Sequence, residues 1–93
     1  MIRKTVLYSG RVQGVGFRFT THRLASRFNV RGYVRNLSDG RVELVAEGDR
    51  DEVERFLAAV AECMGDHIEH VQQTEDSLPG VGAGQFTSFD IRY

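Results

Sequence analysis

Apolar residues along this chain recur first at strand spacing, then at helical spacing, twice more at strand spacing, again at helical spacing and finally at strand spacing. An order of βαββαβ in so short a chain leaves few folds open. Thr5 to Val12 alternates around Val6, Tyr8 and Val12, which predicts a first strand running into the segment Gly10-Arg-Val-Gln-Gly-Val-Gly16. Phe17, Thr21, Leu24, Ala25 and Phe28 then fall on one helical stripe. Asn29 marks the predicted end of that helix, because asparagine tolerates the left-handed conformation of a helix C-terminus.

Val30 to Leu37 and Val42 to Glu47 read as the next strands, the latter with Val42, Leu44 and Ala46 on one face. Ser38-Asp39-Gly40 between them predicts a hairpin, since Asp-Gly accommodates the positive φ angles of a tight turn. Asp49 is the expected N-cap of a second helix, with Glu52 as its capping-box partner. Val53, Phe56, Leu57, Val60 and Met64 mark the face of this helix that should be buried, and Gly65 its stop. Asp66 to Thr74 and Gln85 to Arg92 complete the pattern as strands around a Leu78–Gly84 loop. Each helix has a single apolar face, so the economical architecture is α+β: a ferredoxin-like βαββαβ sandwich. Its helices would pack on one face of a mostly antiparallel four- or five-stranded sheet.

The 93 residues suit a single domain over 1–93, and 41% hydrophobic with 27% charged residues is the balance of a chain that folds rather than stays disordered. Cys63 is the only cysteine, which excludes an internal disulfide and a multi-cysteine metal site and points to a reducing, cytoplasmic setting. Beside Met64 and without a motif around it, that cysteine reads as structural. No apolar run approaches the roughly 20 residues that cross a bilayer, and Met1 to Tyr8 lacks the apolar stretch of a signal peptide, so no membrane association is expected. Charge is unevenly placed. Up to Arg41, nine Lys and Arg stand against Asp39 alone, giving +8; beyond it, twelve acids stand against Arg50, Arg55 and Arg92, giving −9. Either the basic part offers a positive field to an anion, or the two parts interleave in space and neutralise each other.

The glycines at 10, 14 and 16 lie between a predicted strand and a predicted helix. They either let successive N–H groups converge on an anion beside the positive end of the helix dipole, or they merely turn the chain. Arg18, at the start of the helix, could add a forked donor to two oxygens of one phosphate. No Gly-Lys-Ser/Thr follows, so this is not a Walker loop. Asn36, just before the hairpin, either turns the backbone or serves a site. His67 and His70 would point to opposite faces of a strand, and with His22 they read as exposed rather than as metal ligands.

Taken in order, Gly10-Arg-Val-Gln-Gly-Val-Gly-Phe-Arg18, Gly32-Tyr-Val-Arg-Asn36 and Asp39-Gly-Arg-Val-Glu43 resemble the paired signatures of the acylphosphatase family. The likeness continues through Ala46-Glu-Gly48 to Phe89-Asp-Ile-Arg-Tyr93. It implies a ferredoxin-like fold and hydrolysis of small-molecule acyl phosphates with neither metal nor cofactor. It also implies a phosphate-binding segment of Arg11, Val12, Gln13, Gly14, Val15, Gly16, Phe17 and Arg18, with Arg18 binding phosphate and Asn36 holding the attacking water. Departures are mild: Tyr33 stands where members often carry tryptophan, and Phe28-Asn29-Val30 replaces the usual Leu-Gly-Leu. Cys63 to Gly84 is the least family-like stretch.

Elementary chemistry agrees with that implication. The leaving group of an acyl phosphate is a carboxylate whose conjugate acid has a pKa around 4, so it departs at neutral pH unprotonated. The motif offers N–H donors, a guanidinium and a neutral amide, and no general acid. An activated phosphate suits it better than a phosphate monoester. Inorganic phosphate is the expected product and competitive inhibitor, and the protein is expected to act as a monomer. An RNA-recognition module shares the element order, but its glycine-aromatic motif belongs on the third strand, where Val42 to Glu47 has no aromatic, so no nucleic-acid partner is expected. The alternative kept open is a non-catalytic anion-binding or accessory module.

Overall fold

A computed structural model describes residues 1–79 and 84–93. Its elements are β1 (Ile2–Gly10), α1 (Phe17–Ala25), β2 (Arg31–Asn36), β3 (Val42–Gly48), α2 (Arg50–Met64), a 3₁₀ turn (Gly65–His67), β4 (Ile68–Ser77) and β5 (Phe89–Arg92). The strands form one sheet in the order β4-β1-β3-β2-β5, antiparallel throughout except for the β2–β5 pair. Both helices pack on one face of it, as the ferredoxin-like reading required.

Strand alternation and helical stripes meet in that single core. Val6 and Tyr8 of β1, Val34 of β2, and Val42, Leu44 and Ala46 of β3 are buried against Phe17, Leu24 and Ala25 of α1 and Val53, Phe56, Leu57, Val60 and Met64 of α2. Each such large apolar side chain removed from water contributes about 1.5–3 kcal/mol before entropy is counted. Phe56 anchors the centre, with Phe28 at 6.0 Å and Phe89 at 5.2 Å between ring centroids.

Element boundaries differ from the sequence reading where side chains redirect backbone hydrogen bonds. β1 stops at Gly10 rather than Val12, because the β1–β4 register shifts at Ser9/Gly10 and the Arg11 N–H donates to the His67 carbonyl at 2.9 Å. Helix α1 ends at Ala25, and Arg27 and Phe28 donate to Leu24 and Ala25 in a tighter turn that delivers Phe28 to the core. Asn29 is not left-handed, since no residue other than glycine has positive φ among the described residues. Its N–H instead donates to Glu52 Oε1 at 2.8 Å, so Glu52 joins two elements and does not close a capping box. Asp49 is the N-cap by position, without a side-chain cap bond. Gly65, at φ −55°, continues into the 3₁₀ turn instead of stopping the chain.

β4 therefore begins at Ile68, and it runs to Ser77 because β1 templates it back as far as the Ile2–Ser77 pair. β5 begins only at Phe89, since the Gln85 and Phe86 N–H groups donate to the Glu47 carboxylate instead of a strand. Of the predicted Leu78–Gly84 loop, residues 80–83 lie outside the described residues. Cys63 is exposed, so it is not a core residue.

The charged halves do interleave. Arg3 pairs with Glu47, Lys4 with Glu75 and Arg35 with Glu43. Among the described residues, however, Arg11, Arg18, Arg23, Arg27 and Arg31 make no ion pair, and three of these lie on α1 or the turn that follows it. Part of the positive field survives there. Among the described residues no helix is long and apolar enough to cross a membrane.

Candidate active site

Topology gathers the predicted residues at one edge of the sheet. β1 and β2 are both antiparallel to β3, so they run the same way, and β5 runs parallel to β2. All three therefore end at the same edge. The loop after β1 carries the chain to the N-terminus of α1 there; Asn36 closes β2; and the Arg35–Arg92 register places Tyr93 level with Asn36. Val12, Gly14, Gly16, Phe17, Arg18, Phe19, Asn36, Ile91 and Tyr93 line one cleft of about 200 Å³.

Two glycines of the loop hold left-handed backbone. Gly14 and Gly16 adopt φ of 76° and 79°, and a Cβ at either would meet nothing within 4 Å. Glycine is required there by backbone angle, not by crowding. Gly16 is also the N-cap of α1 and provides no side-chain cap, and the first turn holds no acid. The first internal bond of the helix joins the Thr20 N–H to the Gly16 carbonyl at 2.9 Å, which leaves the preceding amides of the turn without helical acceptors beside the positive end of the dipole. Phe17 packs on Tyr8 with 5.0 Å between centroids and so fixes the start of the helix to β1. Burial pushes the Tyr8 hydroxyl pKa far above its ordinary value, so that group stays neutral.

Arg18 extends across the cleft. Its Nη1 donates to the Arg92 carbonyl at 3.4 Å, and its guanidinium carbon lies 4.7 Å from the centre of the Tyr93 ring. No carboxylate pairs with it among the described residues, so it keeps donors for an anion. Asn36 lines the same cleft from β2.

Three of the predicted phosphate-segment side chains take other positions. Arg11 is exposed and its N–H is held by His67; Val15 packs on the core; the Gln13 Nε2 donates to the Leu37 and Arg41 carbonyls at 2.8 and 2.9 Å. Gln13 thus clips the loop to the β2–β3 hairpin. Sequence reasoning missed Phe19, Ile91 and Tyr93 as cleft residues. Their signal was thin: an aromatic next to Arg18 on the polar side of a helical stripe, and the segment Phe89-Asp-Ile-Arg-Tyr93.

Comparison with known proteins supplies the family. The acylphosphatase family model matches residues 4–91. A curated acylphosphatase of Pseudothermotoga lettingae is 43% identical over 83 residues, spanning 89% of each chain. One from Syntrophotalea carbinolica is 56% identical over 59 residues, which is 63% of this chain and 64%, under two thirds, of that relative. A crystal structure of acylphosphatase from Bacillus subtilis superposes with a TM-score of 0.82 at 33% identity, covering 100% of both chains. A match across nearly the whole chain, on a fold that brings both signature segments to one cleft, shows that the chain belongs to the acylphosphatase family, hydrolases of acyl phosphates.

Proposed function

We propose that this chain hydrolyses acyl phosphates without a metal ion, by holding the phosphoryl group between the loop amides and Arg18 while Asn36 orients water. The observation that carries this reading is the shared cleft: Gly14, Gly16 and Arg18 on one wall and Asn36 on another. Uncapped amides at a helix N-terminus and an unpaired guanidinium provide positive charge without a reorganisation cost when negative charge builds on the phosphoryl oxygens. Within the loop, Arg11 contributes its neighbours' placement rather than its own amide, which His67 already engages. An amide such as Asn36 both donates to and accepts from water, so it sets a direction of approach without acting as a base. The proton released by water goes to a phosphoryl oxygen, and the carboxylate leaves unprotonated.

The substrate is a small molecule, inorganic phosphate is both product and competitive inhibitor, and residues 1–93 act as one domain and as a monomer, with the lone cysteine suited to the cytoplasm. The test is phosphate release from benzoyl phosphate with EDTA present. Turnover insensitive to EDTA and competitively inhibited by phosphate is expected. Phosphate binding without turnover would make the chain an anion-binding module, and turnover that appears only on adding a divalent cation would remove the metal-free mechanism.

A further inference from the structure

Large apolar side chains exposed to water are few among the described residues: Phe19 at 65%, Val71 at 48% and Tyr93 at 97%. Two of the three border the catalytic cleft. Their positions are specific. Phe19 follows Arg18 on the first turn of α1, Tyr93 follows the last residue of β5, and half-buried Ile91 lies between the cleft and the core. The polar groups proposed to hold the phosphoryl group occupy the floor made by Gly14, Gly16 and Arg18. Val12 and Phe17 are buried and Asn36 is assigned to the water, so the lining left for the acyl end of a substrate is Phe19, Ile91 and Tyr93.

Resting on the reading of this cleft as the acyl phosphate site, we infer that Phe19, Ile91 and Tyr93 form an acyl subsite that selects substrates with an apolar, preferably aromatic, acyl group. Among the described residues no lysine or arginine other than Arg18 lines the cleft, so a carboxylated or phosphorylated acyl chain finds no dedicated partner along that wall. Arg23, four residues on, places its guanidinium 5.9 Å from the Phe19 ring centre and steadies the ring without enclosing it. Tyr93 is already in contact with Arg18. A flat acyl group in contact with Phe19 and Tyr93 would remove exposed aromatic surface from water, and aromatic contact adds to that gain.

Phe19 is the residue to vary, because Tyr93 also touches Arg18 and changing it would alter both subsites. The experiment measures kcat/KM for benzoyl phosphate and for acetyl phosphate in the parent protein and in Phe19→Ser and Phe19→Leu. Comparing the change in the ratio of the two substrates cancels their difference in intrinsic reactivity. The benzoyl-to-acetyl ratio should fall about tenfold in Phe19→Ser and by about twofold to threefold in Phe19→Leu. A ratio that stays constant in both variants, while both substrates turn over, overturns the acyl subsite and leaves the phosphoryl site standing. Absence of turnover of either substrate by the parent protein overturns the underlying reading and the subsite with it.

Discussion

Glu47 of β3, wholly buried, accepts from Arg3 of β1 at one oxygen, with Nε at 2.7 Å and Nη2 at 2.6 Å. Its other oxygen accepts the Gln85 N–H at 3.0 Å and the Phe86 N–H at 3.4 Å. One carboxylate thus ties the first strand to the segment that feeds β5. Removing it as Glu47→Ala leaves a guanidinium and two amides without their acceptor, and Arg3 is partly exposed, so the cost falls toward the lower end for a broken buried pair, about 2–3 kcal/mol. Glu47→Gln keeps an acceptor for the amides and should cost less. Urea unfolding measures both; equal losses in the two variants would show that the amide contacts are unimportant.

Among the described residues Arg18 is the sole cation lining the cleft, and its one side-chain hydrogen bond is the long contact to the Arg92 carbonyl. Arg18→Ala should leave the circular dichroism spectrum native while weakening inorganic phosphate binding and turnover together, by roughly a hundredfold, the scale of a charge-assisted forked contact. Phosphate affinity equal to that of the parent, measured by competition, would take the phosphoryl group away from this guanidinium.

The fold was legible because periodicity reports burial, and the core obeys it: Val42, Leu44 and Ala46 on one face of β3, and Val53, Phe56, Leu57, Val60 and Met64 along α2. Element ends were not. Glu52 and Glu47 accept backbone amides from segments 23 and 38 residues distant, and no local propensity records a partner that far away. Of the cleft lining, Gly14, Gly16, Arg18 and Asn36 were readable, because those positions stand out in sequence by backbone freedom or functional group. Tyr93 was not, because its place comes from the parallel β2–β5 pairing that brings the end of β5 level with Asn36, nor was Phe19, an exposed residue on the first turn of α1 outside the apolar stripe. Gln13 illustrates the opposite error: a side chain inside the right motif that acts as a clip.

Asn36 makes no side-chain hydrogen bond among the described residues, although it lines the cleft. A group held by strand pairing, with its amide unengaged, suits a water-orienting role more than a structural one. Asn36→Ala should lower kcat by about a hundredfold and change the inhibition constant of phosphate by less than about twofold. Loss of phosphate affinity in parallel with kcat would place Asn36 on the phosphoryl group instead.

Glycine positions 14 and 32 differ in what an added side chain would meet. A Cβ on Gly32 would run into the Val45 carbonyl oxygen and lie 2.7 Å from its carbon, both on the adjacent strand β3. Those atoms are backbone, so no side chain can swing away, and relief requires parting β2 from β3 at the centre of the sheet. Gly32→Ala should therefore cost more than about 3 kcal/mol and leave little folded protein. At Gly14 nothing stands within 4 Å, so Gly14→Ala meets only the penalty of a left-handed backbone, about 1–2 kcal/mol, and the protein should remain folded. On the proposed mechanism its cost falls on function: a loop that relaxes toward negative φ redirects its amides, and phosphate affinity should drop. Thermal melts and phosphate competition on the two variants check the pair. A Gly14→Ala protein with undiminished phosphate affinity would show that the loop amides do not hold the anion.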